Sequence, residues 1–263
     1  MTANPKRRPL VSRRVAVLVL TLALALLAVG GGMSLAASGG QAEQPKRGGD
    51  LIIARAIDTL ALDPTTQADN ESLWVDEQMY ETLYGVTPDG KGLRPWLATS
   101  FKLSADKTIW TFHLRPGVRF NDGTPMTSAD VTFSLDRAMR GPSSGFSYLD
   151  SAIKSVEAPN PSTVVVRTKY PWAPLIADLS IFTNGVVKKN LDGKTASQFF
   201  KHPISTGPFM LDHWTKGVEL KLVRNPYYWQ KGKPYLDSVT YKLVPNDNTR
   251  ILELEGTWFR LGS

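Results

Sequence analysis

The chain has 263 residues, a formal net charge of +7, three histidines and no cysteine. Without cysteine there is no disulfide, no thiolate nucleophile, no Cys-type zinc or iron–sulfur site and no lipid-modified cysteine behind a leader. The first 36 residues hold five of the basic residues and no acid, so the remainder carries only +2, which removes the electrostatic case for a nucleic-acid partner.

Lys6, Arg7, Arg8, Arg13 and Arg14 form a basic leader ahead of an unbroken apolar run, Val15 to Val29. That is the layout of a secretory signal, and Ser34-Leu35-Ala36 fits a small-x-small cleavage site before Ala37. Residues 1–36 therefore read as a signal peptide, and the mature protein as exported. No charge occurs between Val15 and Gln41, so the same run is also long enough to anchor the chain if it stays uncleaved. Residues 37–49 read as a polar, glycine-containing linker.

Asp50 to Ala56 reads as a strand, broken at Leu62-Asp63-Pro64. Glu71 to Tyr84 reads as a helix, with Gly85 as its stop. Trp110, Phe112 and Leu114 alternate with Thr111 and His113, the pattern of a half-buried strand, and Val118 and Phe120 resume it after Arg115-Pro116-Gly117. Asn121-Asp122-Gly123 turns the chain, and Thr127 caps a helix with Asp130, whose apolar face is Val131, Leu135, Ala138 and Met139. Thr163 to Lys169 is a β-branched strand, and Pro171 to Pro174 leads into a short helix. Gly207 to Asn225 reads as a hairpin turning near Thr215-Lys216-Gly217. Ser238 to Val244 is a further strand, and Asn248 caps a last helix from Thr249. The content is α/β with long connections.

Catalytic and metal-binding patterns fail on inspection. Gly193-Lys194-Thr195 lacks the first glycine of a phosphate loop, since position 188 is Lys188. His113, His202 and His213 include no i, i+4 pair to chelate a metal, and there is no G-x-S-x-G elbow. Acid pairs such as Asp76-Glu77 read as solvated helix faces rather than a glycosidase pair. Asn225 to Trp229, NPYYW, reads as a packed corner more than a stacking platform for a ligand. No catalytic residue, metal site or cofactor is expected.

A run of phrases in order carries a resemblance. They are GGDLIIA near Gly48, LDP at Leu62 to Pro64, YETLYGVTPDG at Tyr80 to Gly90, and the stretch from Ala98 to Asp130. STGPFML at Ser205 to Leu211, LVRNPYYW at Leu222 to Trp229 and YKLVPNDNTRILELE at Tyr241 to Glu255 follow. The chain resembles the bacterial extracellular solute-binding proteins of family 5, the peptide- and nickel-type components of ABC importers. The resemblance implies a fold of the periplasmic binding protein type II class, α/β, with residues 50–263 as the amino-terminal lobe and about 85–200 as its inserted subdomain. It implies no enzyme activity and a monomer that binds a peptide or other small solute and docks on ABC permease subunits, in the periplasm or tethered by its signal. An exported hydrolase and a chaperone-like exported domain are the other readings. It also implies that the second lobe is missing, because relatives continue beyond ILELE, and that transport by this form is impaired. Carried over residue by residue, the ligand contacts are Gln67, Ala68 and Asp69 after LDP, Phe146 in a Ser-x-aromatic-x-Tyr-Leu patch, and Thr206 and Gly207 in STGPF. Gln67 departs from the acid that oligopeptide binders carry there.

Overall fold

A computed structural model describes residues 45–66, 68–140 and 146–258. Everything below belongs to the unit that begins at Lys46.

The first strand does not pair with its sequence neighbours. β1 (Asp50–Arg55) lies parallel to β10 (Ser238–Leu243), with Asp50 opposite Ser238. β10 runs antiparallel to β9 (Glu219–Arg224), and β9 to β8 (Phe209–Thr215), giving the order β1-β10-β9-β8. The β8–β9 turn is the predicted one, with Gly217 at positive φ. One side chain in two along β9 and β10 points inward. Leu220, Leu222, Val239 and Tyr241 are buried with Val75 and Met79 of α1 (Asn70–Met79), and with Leu62 and Phe199.

A second sheet, order β4-β5-β7-β6, is antiparallel throughout. It comprises β4 (Ala98–Leu103), β5 (Ile109–Leu114), β6 (Ile153–Asn160) and β7 (Thr163–Thr168). Trp110, Phe112 and Leu114 of β5 and Val164 and Val166 of β7 face its core as their alternation requires, and α2 (Ser128–Arg140) covers them with Val131 and Leu135. Between the sheets come the short pair β2 (Tyr84–Val86) and β3 (Leu93–Pro95), and the one-turn helices α3 (Leu175–Asp178) and α4 (Ala196–Phe199). α5 (Asp247–Trp258) closes the described chain.

The expected helix 71–84 is corrected. α1 ends at Met79, Tyr80 is already extended, and Tyr84 opens β2. The cause is tertiary: Gly207 N donates to Met79 O at 2.8 Å, taking a carbonyl at the helix end. Val118 and Phe120 are buried as predicted, but make no strand; Arg119 forms a lone bridge with Pro125 around the Asn121–Gly123 turn. Thr127 does precede α2, though its hydroxyl donates to the Asp130 carboxylate instead of capping a backbone N–H. The last helix starts earlier than expected, and its capping oxygen is that of Asn246, which accepts from Thr249 N at 3.0 Å; Asn248 lies inside the helix. β2, β3, β4 and β6 were not among the predicted strands. In the sequence Gly141-Pro142 reads as the stop of α2, and both residues lie outside the described ones.

Candidate functional site

The carboxyl end of α1 opens onto a cavity of about 280 Å³. Asp76, Glu77, Tyr80, Glu81, Trp96, Ser180 and Phe182 are among its walls. Asp76 and Glu77 sit in the last turn of α1, and Tyr80 and Glu81 in the extended segment that leaves it. Trp96 comes from the segment after β3, and Phe182 from the turn after α3.

Glu81 is the most heavily bonded group there. It is 4% exposed, and its carboxylate accepts from Trp96 Nε1 at 2.6 Å, Tyr228 OH at 3.0 Å and Trp229 Nε1 at 3.0 Å. The buried Thr206 hydroxyl lies against the same group. Arg94 stacks over Trp96 and Arg115 over Trp229, each 4.2 Å from the ring centre. The NPYYW corner therefore works as a donor set for one glutamate, and packs, as read from the sequence, rather than offering a stacking face. Burial pushes the Glu81 carboxyl up to about 7, against the pull of its donors.

This has a pH signature. A carboxyl raised from 4.5 to about 7 by folding stabilises the fold fully below about pH 4.5, and that contribution is lost as pH rises through 7. Asp150, raised to about 6 by burial, acts in the same sense. Urea unfolding should therefore show stability falling between pH 5 and pH 8, by up to about 3 kcal/mol from Glu81. Glu81→Gln should flatten that slope. Parallel slopes for the two proteins would remove Glu81 as the source.

The predicted contacts fall into two groups at opposite ends of α1. Thr206 is fully buried behind the cavity, and Gly207 touches the last turn of the helix. Phe146 is half-buried and packs edge-on against Phe182 at 5.1 Å between ring centres, so it borders the cavity at second hand. Ala68 is exposed, and Asp69 caps the start of α1, accepting from Ser72 N at 2.8 Å. Ten residues of helix separate the groups, about 15 Å. Gln67 lies outside the described residues. The structure also corrects the reading of Asp76 as a solvated acid: it is 1% exposed. Sequence reasoning missed Glu81 as well, although it stands inside the phrase YETLYG.

Below the loop that carries Ala68, Asp63 is tied to Arg137 of α2. Nη1 donates to Oδ1 at 2.6 Å, Nη2 bonds Oδ2, and both side chains are nearly buried. Thr65 donates to the same carboxylate through N and Oγ1. The Leu-Asp-Pro loop is thus bolted to the helix that covers the second sheet.

Two sheets, one closed by strands from the two ends of the described chain, with a concave acid-lined end of a helix beside them, make up a mixed α/β fold. Among the described residues no group of three His, Asp or Glu side chains is placed to hold a metal ion, and no helix is long and apolar enough to cross a membrane. Residues 92–257 match the family description "Bacterial extracellular solute-binding proteins, family 5 Middle", and the chain belongs to that family. The glutathione-binding protein GsiB of Escherichia coli (strain K12) is 32% identical over 207 residues, 78% of this chain and 40% of that protein. A similar fold occurs in the periplasmic binding protein DppA of Helicobacter pylori, in complex with the peptide STSA. The TM-score is 0.72 at 31% identity, over 81% of this chain and 46% of that one. AgaA of A. tumefacien R10, in complex with agropinic acid, gives a TM-score of 0.73 at 32% identity, over 79% and 42%. The chain spans about 40% of the length of the curated relatives it matches. The family and these relatives are solute-binding proteins, not enzymes.

Proposed function

We propose that this chain is the substrate-binding component of an ABC importer. It takes up a peptide or similar small solute outside the cytoplasmic membrane and delivers it to permease subunits. The observation that carries this is the 31% identity to a peptide-bound relative across 81% of the chain. In this reading residues 50–263 supply one wall of the solute cleft, with about 85–200 as the inserted subdomain. The other wall belongs to the share of the relatives that the chain does not match. Gln67, Ala68 and Asp69 offer main-chain groups to the solute, and Phe146 an aromatic edge. Thr206 and Gly207 serve the same cleft from behind, by holding Glu81 and the end of α1 in place.

Titration calorimetry with glutathione and with Ser-Thr-Ser-Ala tests this on two proteins: the chain alone, and the chain extended by the unmatched share of a GsiB relative. The extended protein should bind one of them in the micromolar range. The chain alone should bind at least tenfold more weakly, because a single wall leaves most of the solute in water. No binding by the extended protein would remove the peptide reading. Micromolar binding by the chain alone would show that one wall suffices.

The leader completes the proposal. Residues 1–36 direct export and are removed, so the exported protein should begin within a few residues of Ala37 on amino-terminal sequencing. Recovery of the intact leader in the membrane fraction would replace removal with anchoring.

A further inference from the structure

Asp150 and Asn184 are joined by one hydrogen bond and each keeps a bare oxygen. Asp150 lies in the 3-10 helix Ser147–Ala152 and Asn184 in the 3-10 turn Phe182–Asn184, and they are 3% and 2% exposed. Asn184 Nδ2 donates to Asp150 Oδ1 at 3.2 Å and to the carbonyl of Asp178, in α3, at 3.1 Å. Asp150 Oδ2 and Asn184 Oδ1 are buried and have no partner. Among the described residues no other pair of side chains bonded to each other leaves an oxygen bare on both sides. Turning the amide over brings no relief, because its oxygen would then meet Asp150 Oδ1 and the Asp178 carbonyl, both acceptors.

A carboxylic acid and an amide meet at two points, N–H to one carboxyl oxygen and O–H from the other carboxyl oxygen to the amide oxygen. The first point is made here, and the atoms of the second are the two left over. One proton on Asp150 Oδ2 satisfies both, and two buried acceptors without one are costly. The charges around Asp150 give it no other partner. Asp178 is itself an acid and accepts from Trp172 Nε1 at 2.6 Å. Arg140 of α2, Lys154 of β6 and Lys169 after β7 line a cavity with Asp150. Arg140 pairs with Asp136, Lys169 Nζ donates to Ser151 O at 2.7 Å, and none of the three cations bonds Asp150 Oδ2. Burial, with the charge of Asp178 behind it, outweighs the Asn184 donor and raises the Asp150 carboxyl to about 6.

The pair holds the turn that carries Phe182. Phe182 is a wall of the cavity at the end of α1 and packs on Phe146. Gly185, next after the turn, rests so closely on Tyr80, another wall, that a Cβ there would stand 2.9 Å from Tyr80 Cβ.

We propose that Asp150 and Asn184 form a proton-operated latch on this cavity wall. With Asp150 protonated, Oδ2–H donates to Asn184 Oδ1, and the two-point pair fastens the Phe182 turn to the helix Ser147–Ala152. When the proton passes to solvent that bond is lost, a charge is left buried, and the turn is released. A carboxyl raised by folding is protonated on the acid side, so the latch is closed in acid and opens as pH rises through about 6.

NMR on the full ¹³C,¹⁵N-labelled chain tests this. The Asp150 Cγ signal and the Asn184 side-chain amide signals should move together between pH 4 and pH 8, with one midpoint near 6. The Gly185 amide, which donates to Phe182 O at 2.9 Å, should exchange at least fivefold faster at pH 7.5 than at pH 5 after correction for intrinsic base catalysis. In Asp150→Asn, whose amide serves both points at every pH, neither change should occur. Glu81→Gln and Thr183→Val should leave both changes in place. The first removes the carboxyl raised to about 7, and the second removes the unpartnered buried hydroxyl beside Asn184 in the chain. An Asp150 midpoint below pH 5, or Asn184 signals that do not follow Asp150, overturns the proposal. So does a rise in Gly185 exchange that persists in Asp150→Asn or disappears in Glu81→Gln or Thr183→Val. If Asp150→Asn does not fold, the coincidence of the Asp150 and Asn184 midpoints in the unaltered chain decides.

Discussion

Gly207→Ala should cost about 3 kcal/mol and lower the melting temperature by roughly 10 °C. A Cβ at this position would stand 2.4 Å from Met79 O, 2.5 Å from Met79 C and 2.8 Å from Gln78 O. All three are backbone atoms at the end of α1, so no side chain can swing aside to make room. Either the helix end retreats and the 2.8 Å bond from Gly207 N to Met79 O is lost, or the strand leading into β8 is displaced. Gly92→Ala is the control: its Cβ would meet nothing closer than Thr87 at 3.8 Å, and it should change stability by less than about 0.5 kcal/mol. If the two variants melt together, the close approach is not a constraint on the fold.

Arg137→Met should be as damaging or more so, at about 3–5 kcal/mol, because it leaves the nearly buried Asp63 carboxylate without its cation. The loss should be recoverable. Arg137→Met with Asp63→Asn removes the charge and keeps an oxygen for Thr65, and should regain at least half of the deficit. The coupling read from the double-mutant cycle then measures the pair itself. A single variant costing under about 1 kcal/mol would place this contact with ordinary surface ion pairs.

Local pattern made some of this molecule readable, and tertiary context made the rest unreadable. β5, β7, β9 and β10 announce themselves because period-2 alternation of large apolar residues is enough to bury one face. Val118 and Phe120 show the same alternation and the same burial, yet no strand lies beside them, and pairing is not a property of one segment. β4 escaped notice because five of its six residues are exposed, so its apolar positions mark no buried face. The helix stop was misplaced at Gly85 because the residue that ends α1 is Gly207, remote in sequence. At the site, the family was legible from ordered phrases such as YETLYG and LVRNPYYW. The burial of Asp76 was not. An acid beside another acid on a helix looks solvated until the turn at Phe182 is brought up against it. Glu81 is intermediate: a glutamate between Tyr80 and Leu83 hints at burial, but its donors lie at Trp96, Tyr228 and Trp229.

The parallel pairing of β1 with β10 also sets an order of events. The second sheet, from Ala98 to Thr168, can assemble as soon as its own residues are available. The first cannot, because the strand β1 pairs with lies 188 residues further on. Closing so long a loop is slow, and nothing rewards it before the last strand arrives. The amino-terminal strand therefore stays unpaired while almost the whole chain is made. The strand nearest the start of the described chain is thus the one the fold takes up last.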